Sequence, residues 1–178
     1  HHLIATVTRC AQVRTSVARP DLLLLAALYH DIGKGYGRPH AQVGAEMITR
    51  QAARMRLSVA DRSRAQTLVA EHTTLARLAA TMDPASDDAR DALLAAAHYD
   101  QLTISLLAVL AEADAQSTGP GVWTLRVEQA QKLIVARALE ALKPRVLSRP
   151  AMHVPLSSEG VALKVDWEDQ EVSVSWCG

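Results

Sequence analysis

Residues 22–35 read Leu22-Leu-Leu-Leu-Ala-Ala-Leu-Tyr-His-Asp-Ile-Gly-Lys-Gly35, an apolar run that closes on a His-Asp pair and a glycine-rich turn. At helical spacing, the residues that share a face with His30 or with Asp31 are all Leu or Ala. Both polar side chains therefore point where the periodicity predicts a core. A buried carboxylate is costly without a partner, so we expect a cation close to Asp31. The plainer alternative is a capped helix end with a hydrogen-bonded histidine.

Three more residues of metal-binding type lie on apolar helix faces elsewhere in the chain. Asp114 and His72 each follow apolar residues, Leu, Val or Ala, at helical spacing. His40 lies at the start of another predicted helix, on the same face as Val43 and Met47. Neutral imidazoles and carboxylates suit Mn, Fe or Zn. Mixed His and Asp ligation that leaves coordination positions open is typical of hydrolytic sites and not of closed structural ones. These residues therefore indicate a hydrolytic metal centre.

Composition excludes several classes of partner. The 178 residues carry 19 Lys plus Arg and 19 Asp plus Glu, so the formal net charge is zero. A nucleic-acid clamp or a polybasic membrane-surface protein needs an excess of positive charge, so we expect neither partner. No apolar run is long enough for a transmembrane helix, and no signal peptide precedes the first helix. Cys10 and Cys177 are read as free thiols of a reducing compartment, which predicts a cytoplasmic protein.

The fold class predicted is all-α, a helical bundle with a short C-terminal β-hairpin extension. Asp21 and Ser58 are taken as N-caps, and alternating strands are expected at 161–165 and 171–176 behind a proline-containing linker. These features divide the chain into a helical domain, 1–145, and a linker with hairpin, 146–178. The pattern predicts helices at 3–18, 22–31, 41–56, 60–72, 91–97, 100–116 and 123–142.

Taken together, the motifs resemble a known family. His2, His30-Asp31 and Asp114 are similar to the H…HD…D pattern of the HD superfamily of metal-dependent phosphohydrolases, which forms a helical bundle. Two longer stretches, Arg19–Gly35 and Ala113-Asp-Ala-Gln-Ser-Thr-Gly-Pro-Gly-Val-Trp123, with His40…Gly44-Ala-Glu46 between them, are closest to one branch. That branch is the central HD domain of bifunctional PII uridylyltransferase/uridylyl-removing enzymes, and the resemblance covers about residues 2–142.

The resemblance implies an activity and a set of roles. The expected reaction is hydrolysis of a phosphodiester that links UMP, or AMP in some relatives, to a tyrosine of the PII nitrogen-signalling protein. His30, Asp31 and Asp114 would hold the principal divalent metal, Mn before Fe, Mg or Zn, with His2 as the fourth ligand. His40 and His72 would hold a second metal or bind phosphate. Asp31 and Lys34 are the expected catalytic residues, and Lys34 would neutralise phosphate charge. Alternatively, Lys34 only stabilises the C-terminus of its helix through the charge of its ammonium group.

The resemblance also places this chain within a larger protein. Because it starts at His1-His2 without Met, we expect a piece of a longer parent that carries nucleotidyltransferase and ACT domains. The terminal hairpin would be a linker or the first edge of an ACT domain. Two other functions stay open at this point: a phosphohydrolase that acts on free or cyclic nucleotides, and a catalytically silent HD module used for regulation.

Overall fold

The structure, a computed structural model, describes residues 1–144 in full and the backbone of residues 162–168 and 171–177. The chain divides into two compact units, His1–Lys143 and Pro144–Gly178. In the described part of the first unit every regular element is a helix, which confirms the prediction of an all-α domain. The helices are α1 His2–Gln12, α2 Pro20–Tyr29, α3 His40–Arg54, α4 Val59–Ala70, α5 Thr74–Thr81, α6 Asp87–Ala96, α7 Gln101–Thr118 and α8 Leu125–Ala141.

Helix α2 forms the centre of the bundle. It packs against α1, α3, α4 and α7. Its residues Leu22, Leu23, Ala26 and Ala27 are fully buried. Leu and Ala supply most of the surrounding core, and the small Ala side chains let neighbouring helices approach closely, so a chain without Phe still fills its interior. One expectation was wrong: Leu28, which shares the helical face of Asp31, is 46% exposed, so that face is only partly core.

Three of the differences from the predicted helix ends have a local cause. Helix α1 ends at Gln12 and not at residue 18, because Arg14 and Ser16 bond through their side chains to carbonyls three residues earlier and close turns. Asp21 is not an N-cap: Arg19 takes that position and Pro20 begins the helix, where its missing N–H costs nothing. Helix α6 begins at Asp87, four residues earlier than predicted, because Ser86 caps it.

Helix α5 was not predicted, whereas the Ser58 cap was predicted correctly. Thr73 occupies the N-cap position of α5 without a side-chain hydrogen bond, and only three residues, none of them Gly or Pro, separate α5 from α4. Ser58 accepts a hydrogen bond from the Asp61 amide at the start of α4.

The second unit contains two described strands. Strand β1, Ala162–Glu168, pairs antiparallel with β2, Glu171–Cys177, in a register that sets Val165 opposite Val174. Residues 169–170, which would join the strands, and the linker 145–161 lie outside the described residues, so the hairpin as a whole stays a prediction.

Length and apolar composition decide whether one of the described helices could span a membrane. No single one of them is long and apolar enough to cross a bilayer; α6 and α7 meet the length and composition requirement only as a pair, bent by 102° at their junction.

Candidate metal centre

Six side chains predicted as metal ligands meet at one end of the central helix α2. They come from five separate segments: α1, the end of α2, the start of α3, the end of α4, and the C-terminal half of α7. The sequence separation between the first and the last exceeds 110 residues, so only the folded bundle brings them together. The six are His2, His30, Asp31, His40, His72 and Asp114.

The first group of ligand atoms surrounds the Nε2 atom of His2. This atom lies 3.3 Å from His30 Nε2, 3.3 Å from Asp31 Oδ2 and 2.9 Å from Asp114 Oδ1. Asp114 Oδ1 is also 3.4 Å from His30 Nε2, and Asp31 Oδ2 is 3.5 Å from it. Two imidazole nitrogens and two carboxylate oxygens thus face one small space.

A second group shares Asp31 with the first. The other carboxylate oxygen of Asp31, Oδ1, lies 3.6 Å from His40 Nε2, and His40 Nε2 lies 3.2 Å from His72 Nε2. The ligand atoms of Asp31, His40 and His72 all lie within 4.8 Å of one another, as do those of His2, His30 and Asp31. The arrangement is therefore two adjacent sets of donors with one bridging carboxylate.

Backbone carbonyls fix the orientation of the two buried histidines. His30 Nδ1 lies 2.7 Å from the carbonyl oxygen of Ala27, and His72 Nδ1 lies 2.8 Å from that of Val69. A carbonyl oxygen only accepts, so in both rings Nδ1 carries the hydrogen and donates it. The neutral ring then has its lone pair on Nε2, the atom that faces the other donors. Hydrogen bonds of this kind set the tautomer of metal-binding histidines.

Sequence reasoning missed these two carbonyls, although a signal for them exists. Each belongs to the residue three positions before its histidine, in the last turn of α2 or of α4. The last carbonyls of a helix have no partner within the helix, so a histidine just past the end can donate to one of them. A His at a predicted helix C-terminus is therefore a better ligand candidate than a His in the helix interior.

Burial and charge shift the pKa values of three of these groups. His30 is fully buried and His72 is 2% exposed. Burial lowers the pKa of His72, and the neighbouring His30 and His40 lower it further, which favours the neutral ring that binds metals. Burial alone would raise the pKa of Asp114, but the hydrogen bond and charge of His30 outweigh it and hold that pKa below its usual value. Burial would lower the pKa of His30, but the hydrogen bond that Asp114 accepts from it and the charge of Asp31 raise that pKa overall.

Lys34 stands at the rim of this cluster. Its Nζ lies 2.5 Å from Asp31 Oδ2, and its side chain is 63% exposed. The ammonium group is thus close to the bridging carboxylate and open to solvent on its other side. This placement leaves Lys34 able to meet an anion that enters from outside.

Several known proteins with similar sequences share one name. This chain is 49% identical over 175 residues to the bifunctional uridylyltransferase/uridylyl-removing enzyme of Corynebacterium glutamicum. The match covers 96% of this chain and 25% of that relative. It is 40% identical over 123 residues to the enzyme of the same name from Mycobacterium tuberculosis, covering 69% of this chain and 15% of that protein. The corresponding Streptomyces coelicolor enzyme is 42% identical over 123 residues, with the same two shares, 69% and 15%.

The chain thus spans about a quarter or less of the length of these curated relatives. A family model described as "HD domain" matches residues 1–118, about two thirds of the chain and a range that includes all six clustered side chains. This chain therefore belongs to the HD domain family.

Proposed function

We propose that this chain is a metal-dependent phosphodiesterase that removes a nucleotidyl group, UMP or AMP, from a tyrosine of the PII nitrogen-signalling protein. The observation that carries the proposal is the pair of donor groups joined by Asp31, with the histidine lone pairs directed at the same space. The name of the relatives includes uridylyl-removing activity, which supports UMP as the group removed.

The donor set fits one or two divalent metal ions. His2, His30, Asp31 and Asp114 would hold the principal ion, and Asp31, His40 and His72 a second one. The metal proposed is Mn²⁺, with Fe, Zn or Mg as alternatives, since imidazole ligands suit Fe and Zn and carboxylate ligands suit Mn and Mg. When bound, the metal lowers the pKa of water and withdraws charge from phosphoryl oxygens.

The residues of this chain supply orientation and charge for that chemistry. Ala27 and Val69 hold the rings of His30 and His72 in place through their carbonyls. Lys34 offers an exposed ammonium that neutralises a non-bridging phosphate oxygen as a point charge. If only one metal binds, His40 and His72 would contact the phosphate instead. Asp31 orders both halves of the site, since each of its oxygens faces a different donor group.

The parent protein and its setting belong to the same proposal. Residues 1–145 form the HD domain, and 146–178 form a linker and the start of an ACT domain, within a longer cytoplasmic chain that also carries a nucleotidyltransferase domain. The partner is the nucleotidylated PII protein. Zero net charge argues against a nucleic acid or a membrane surface as a partner.

A release assay tests the proposal. The purified chain is incubated with Mn²⁺ and with UMP-modified or AMP-modified PII, and free nucleoside monophosphate is quantified by chromatography. We expect release of UMP, AMP or both, and its loss in Asp31→Asn. Asp91→Asn is the matched control, because Asp91 lies on α6 in an exposed ion pair with Arg90.

The outcomes separate the candidate functions. Release of neither monophosphate, together with cleavage of free or cyclic nucleotides, would move the assignment to a small-molecule phosphohydrolase. No cleavage of any phosphodiester and no bound metal would indicate a silent regulatory module.

A further inference from the structure

Gly33 lies where the turn after Asp31 passes over the first turn of α3. A Cβ atom built on Gly33 would collide with the carbonyl oxygen of His40 and would lie 2.8 Å from Val43 Cβ. Cβ atoms are essentially never found within 3.0 Å of such neighbours, and neither neighbour is the free end of a flexible side chain. Only a residue without Cβ allows this turn to lie so close to His40.

Gly44 makes a second close approach, one helical turn after His40. A Cβ atom at Gly44 would lie 2.8 Å from the carbonyl oxygen of Tyr29 and 2.9 Å from Val69 Cγ1. Helix α3 therefore lies directly against the end of α2 and against α4. Val69 is also the residue whose carbonyl accepts the hydrogen bond from His72.

The two glycines join the segments that supply the second donor group. Asp31 follows α2, His40 begins α3 and His72 follows α4, and these are the three segments in contact at Gly33 and Gly44. The distances of 3.6 Å from Asp31 Oδ1 to His40 Nε2 and of 3.2 Å from His40 Nε2 to His72 Nε2 depend on that spacing. In the first group, His2 lies on α1 and Asp114 on α7, and neither helix contributes an atom to the two glycine contacts.

We propose that Gly33 and Gly44 are positioning residues that hold His40 close to Asp31 and His72 in the second group, and that the mutual placement of His2, His30 and Asp114 does not depend on them. The role in metal binding rests on the proposed function, but the geometric claim does not. Adding a methyl group at either position moves α3 away from the α2 turn or from α4. His40 then separates from Asp31 and His72, while His2, His30 and Asp114 keep their places.

The chain offers a matched control in the same turn. Gly35 has φ +89°, so Ala at this position is strained in its backbone, but its Cβ would meet nothing within 4 Å. Gly35→Ala therefore disturbs the turn without forcing α3 outward. The three variants to compare are Gly33→Ala, Gly44→Ala and Gly35→Ala.

The first measurement needs no metal. In the metal-free wild-type chain, NMR should give a nuclear Overhauser effect between the rings of His40 and His72, whose Nε2 atoms lie 3.2 Å apart. We expect this signal to be lost in Gly33→Ala and in Gly44→Ala and kept in Gly35→Ala. The equivalent signal between His2 and His30, with Nε2 atoms 3.3 Å apart, should persist in all three.

The second measurement is a Mn²⁺ titration by calorimetry on the same proteins. We expect the weaker Mn²⁺ equivalent to bind at least tenfold less tightly in Gly33→Ala and Gly44→Ala, and the tighter one to change less than threefold. If Gly44→Ala does not fold, Gly33→Ala decides, since it alters a turn and no helix interior.

Retention of the His40–His72 signal in Gly33→Ala would overturn the inference, whether or not metal binds. Equal weakening of both Mn²⁺ equivalents would overturn it as well. Failure of the wild-type chain to bind Mn²⁺ would instead contradict the proposed function, and the NMR comparison would still decide the role of the two glycines.

Discussion

Asp31 faces different partners with its two carboxylate oxygens. Oδ2 lies near His2, His30 and Lys34, whereas Oδ1 lies near His40. Its side chain is 12% exposed, so solvent competes little with these contacts. At this position a change of one oxygen to nitrogen alters both donor groups at once.

Two single substitutions should therefore differ in the number of metal ions lost. Asp31→Asn replaces a carboxylate with a weaker neutral ligand, so we expect less than 0.2 equivalents of Mn²⁺ per chain. His40→Gln removes a donor from the second group only, so we expect one tightly bound equivalent to remain. Elemental analysis after gel filtration measures both. A chain with Asp31→Asn that still holds a tight equivalent would contradict the bridging role.

Cys10 offers a test of burial that involves no metal. Its side chain is fully buried on α1, and burial together with the negative charge of Asp114 raises its pKa to about 11. The thiolate is the reactive species in alkylation. Because a pKa of about 11 leaves about a hundredfold less thiolate at pH 8 than a pKa of 9.0, we expect alkylation to be about a hundredfold slower than for a free thiol, and burial should slow it further. Iodoacetamide labelling of a Cys177→Ser chain at pH 8, followed by mass spectrometry, measures the rate; urea should abolish the protection. Fast labelling of the folded chain would show that α1 opens readily.

The six side chains that the structure brings together were all predicted as site residues, and the resemblance also implied their division into two sets, apart from the membership of Asp31 in both. Apolar helix faces around His30, His72 and Asp114 were sufficient to predict inward-facing donors, because helical periodicity determines direction. Which donors meet depends on how the segments cross. Asp31 was expected in the principal metal site alone, and its second contact, with His40, depends on the Gly33 turn that no periodicity predicts.

At the scale of elements, Asp100 joins two helices. It caps α7 by accepting a hydrogen bond from the Thr103 amide, and it binds the Arg64 guanidinium of α4 through both oxygens. Arg64 also reaches Asp61, which in turn binds Arg19 next to α2. This chain of alternating charges connects the starts of α2, α4 and α7.

The Asp100 carboxylate gives the domain a defined pH dependence. Hydrogen bonds from Arg64 lower its pKa from 3.8 to about 2, against the opposing effect of burial. A carboxyl group with a lowered folded-state pKa stabilises fully above pH 4 and loses that contribution as pH falls towards 2. Asp100→Asn should cost on the order of 1–2 kcal/mol at pH 7, allowing for solvent screening, and about half as much at pH 3.

Urea unfolding at both pH values measures this difference. Asp91→Asn is the control, since the carboxylate of Asp91 is 58% exposed and solvent screening leaves its ion pair with Arg90 little effect on stability at either pH. A destabilisation by Asp100→Asn that is the same at pH 7 and pH 3 would contradict an electrostatic origin.

Element positions were more predictable than element ends. Seven of the eight helices in the described part of the chain were expected, because each shows an apolar face or a clear stop signal. The exception, α5, begins without a capping side chain after a break of only three residues from α4. Helix α1 was predicted too long because residues 13–18 contain no Gly or Pro to end a helix, and the side-chain hydrogen bonds of Arg14 and Ser16 are visible only in three dimensions.

At the scale of the whole molecule, metal binding should stabilise the helical unit. The donors come from α1, α2, α3, α4 and α7, and the unfolded chain does not hold them together. A ligand that binds only the folded state at one hundred times its dissociation constant adds about 2.7 kcal/mol. We expect Mn²⁺ to raise the unfolding temperature and EDTA to reverse the increase. Calorimetry on wild type and Asp31→Asn measures this, and an equal increase in Asp31→Asn would indicate binding elsewhere.

The spread of the donors along the chain has a consequence for the time at which the site appears. His2 must meet Asp114, so α1 has to dock on α7 after more than a hundred intervening residues have been synthesised and folded. Contacts between distant parts of a chain form late, because the chain must lose the entropy of closing a long loop before those contacts stabilise it. On a ribosome, a nascent chain that ends before α7 has helices but no complete centre. Under the proposed function, hydrolytic competence would begin only when the bundle is finished, and partly made chains would not release nucleotide.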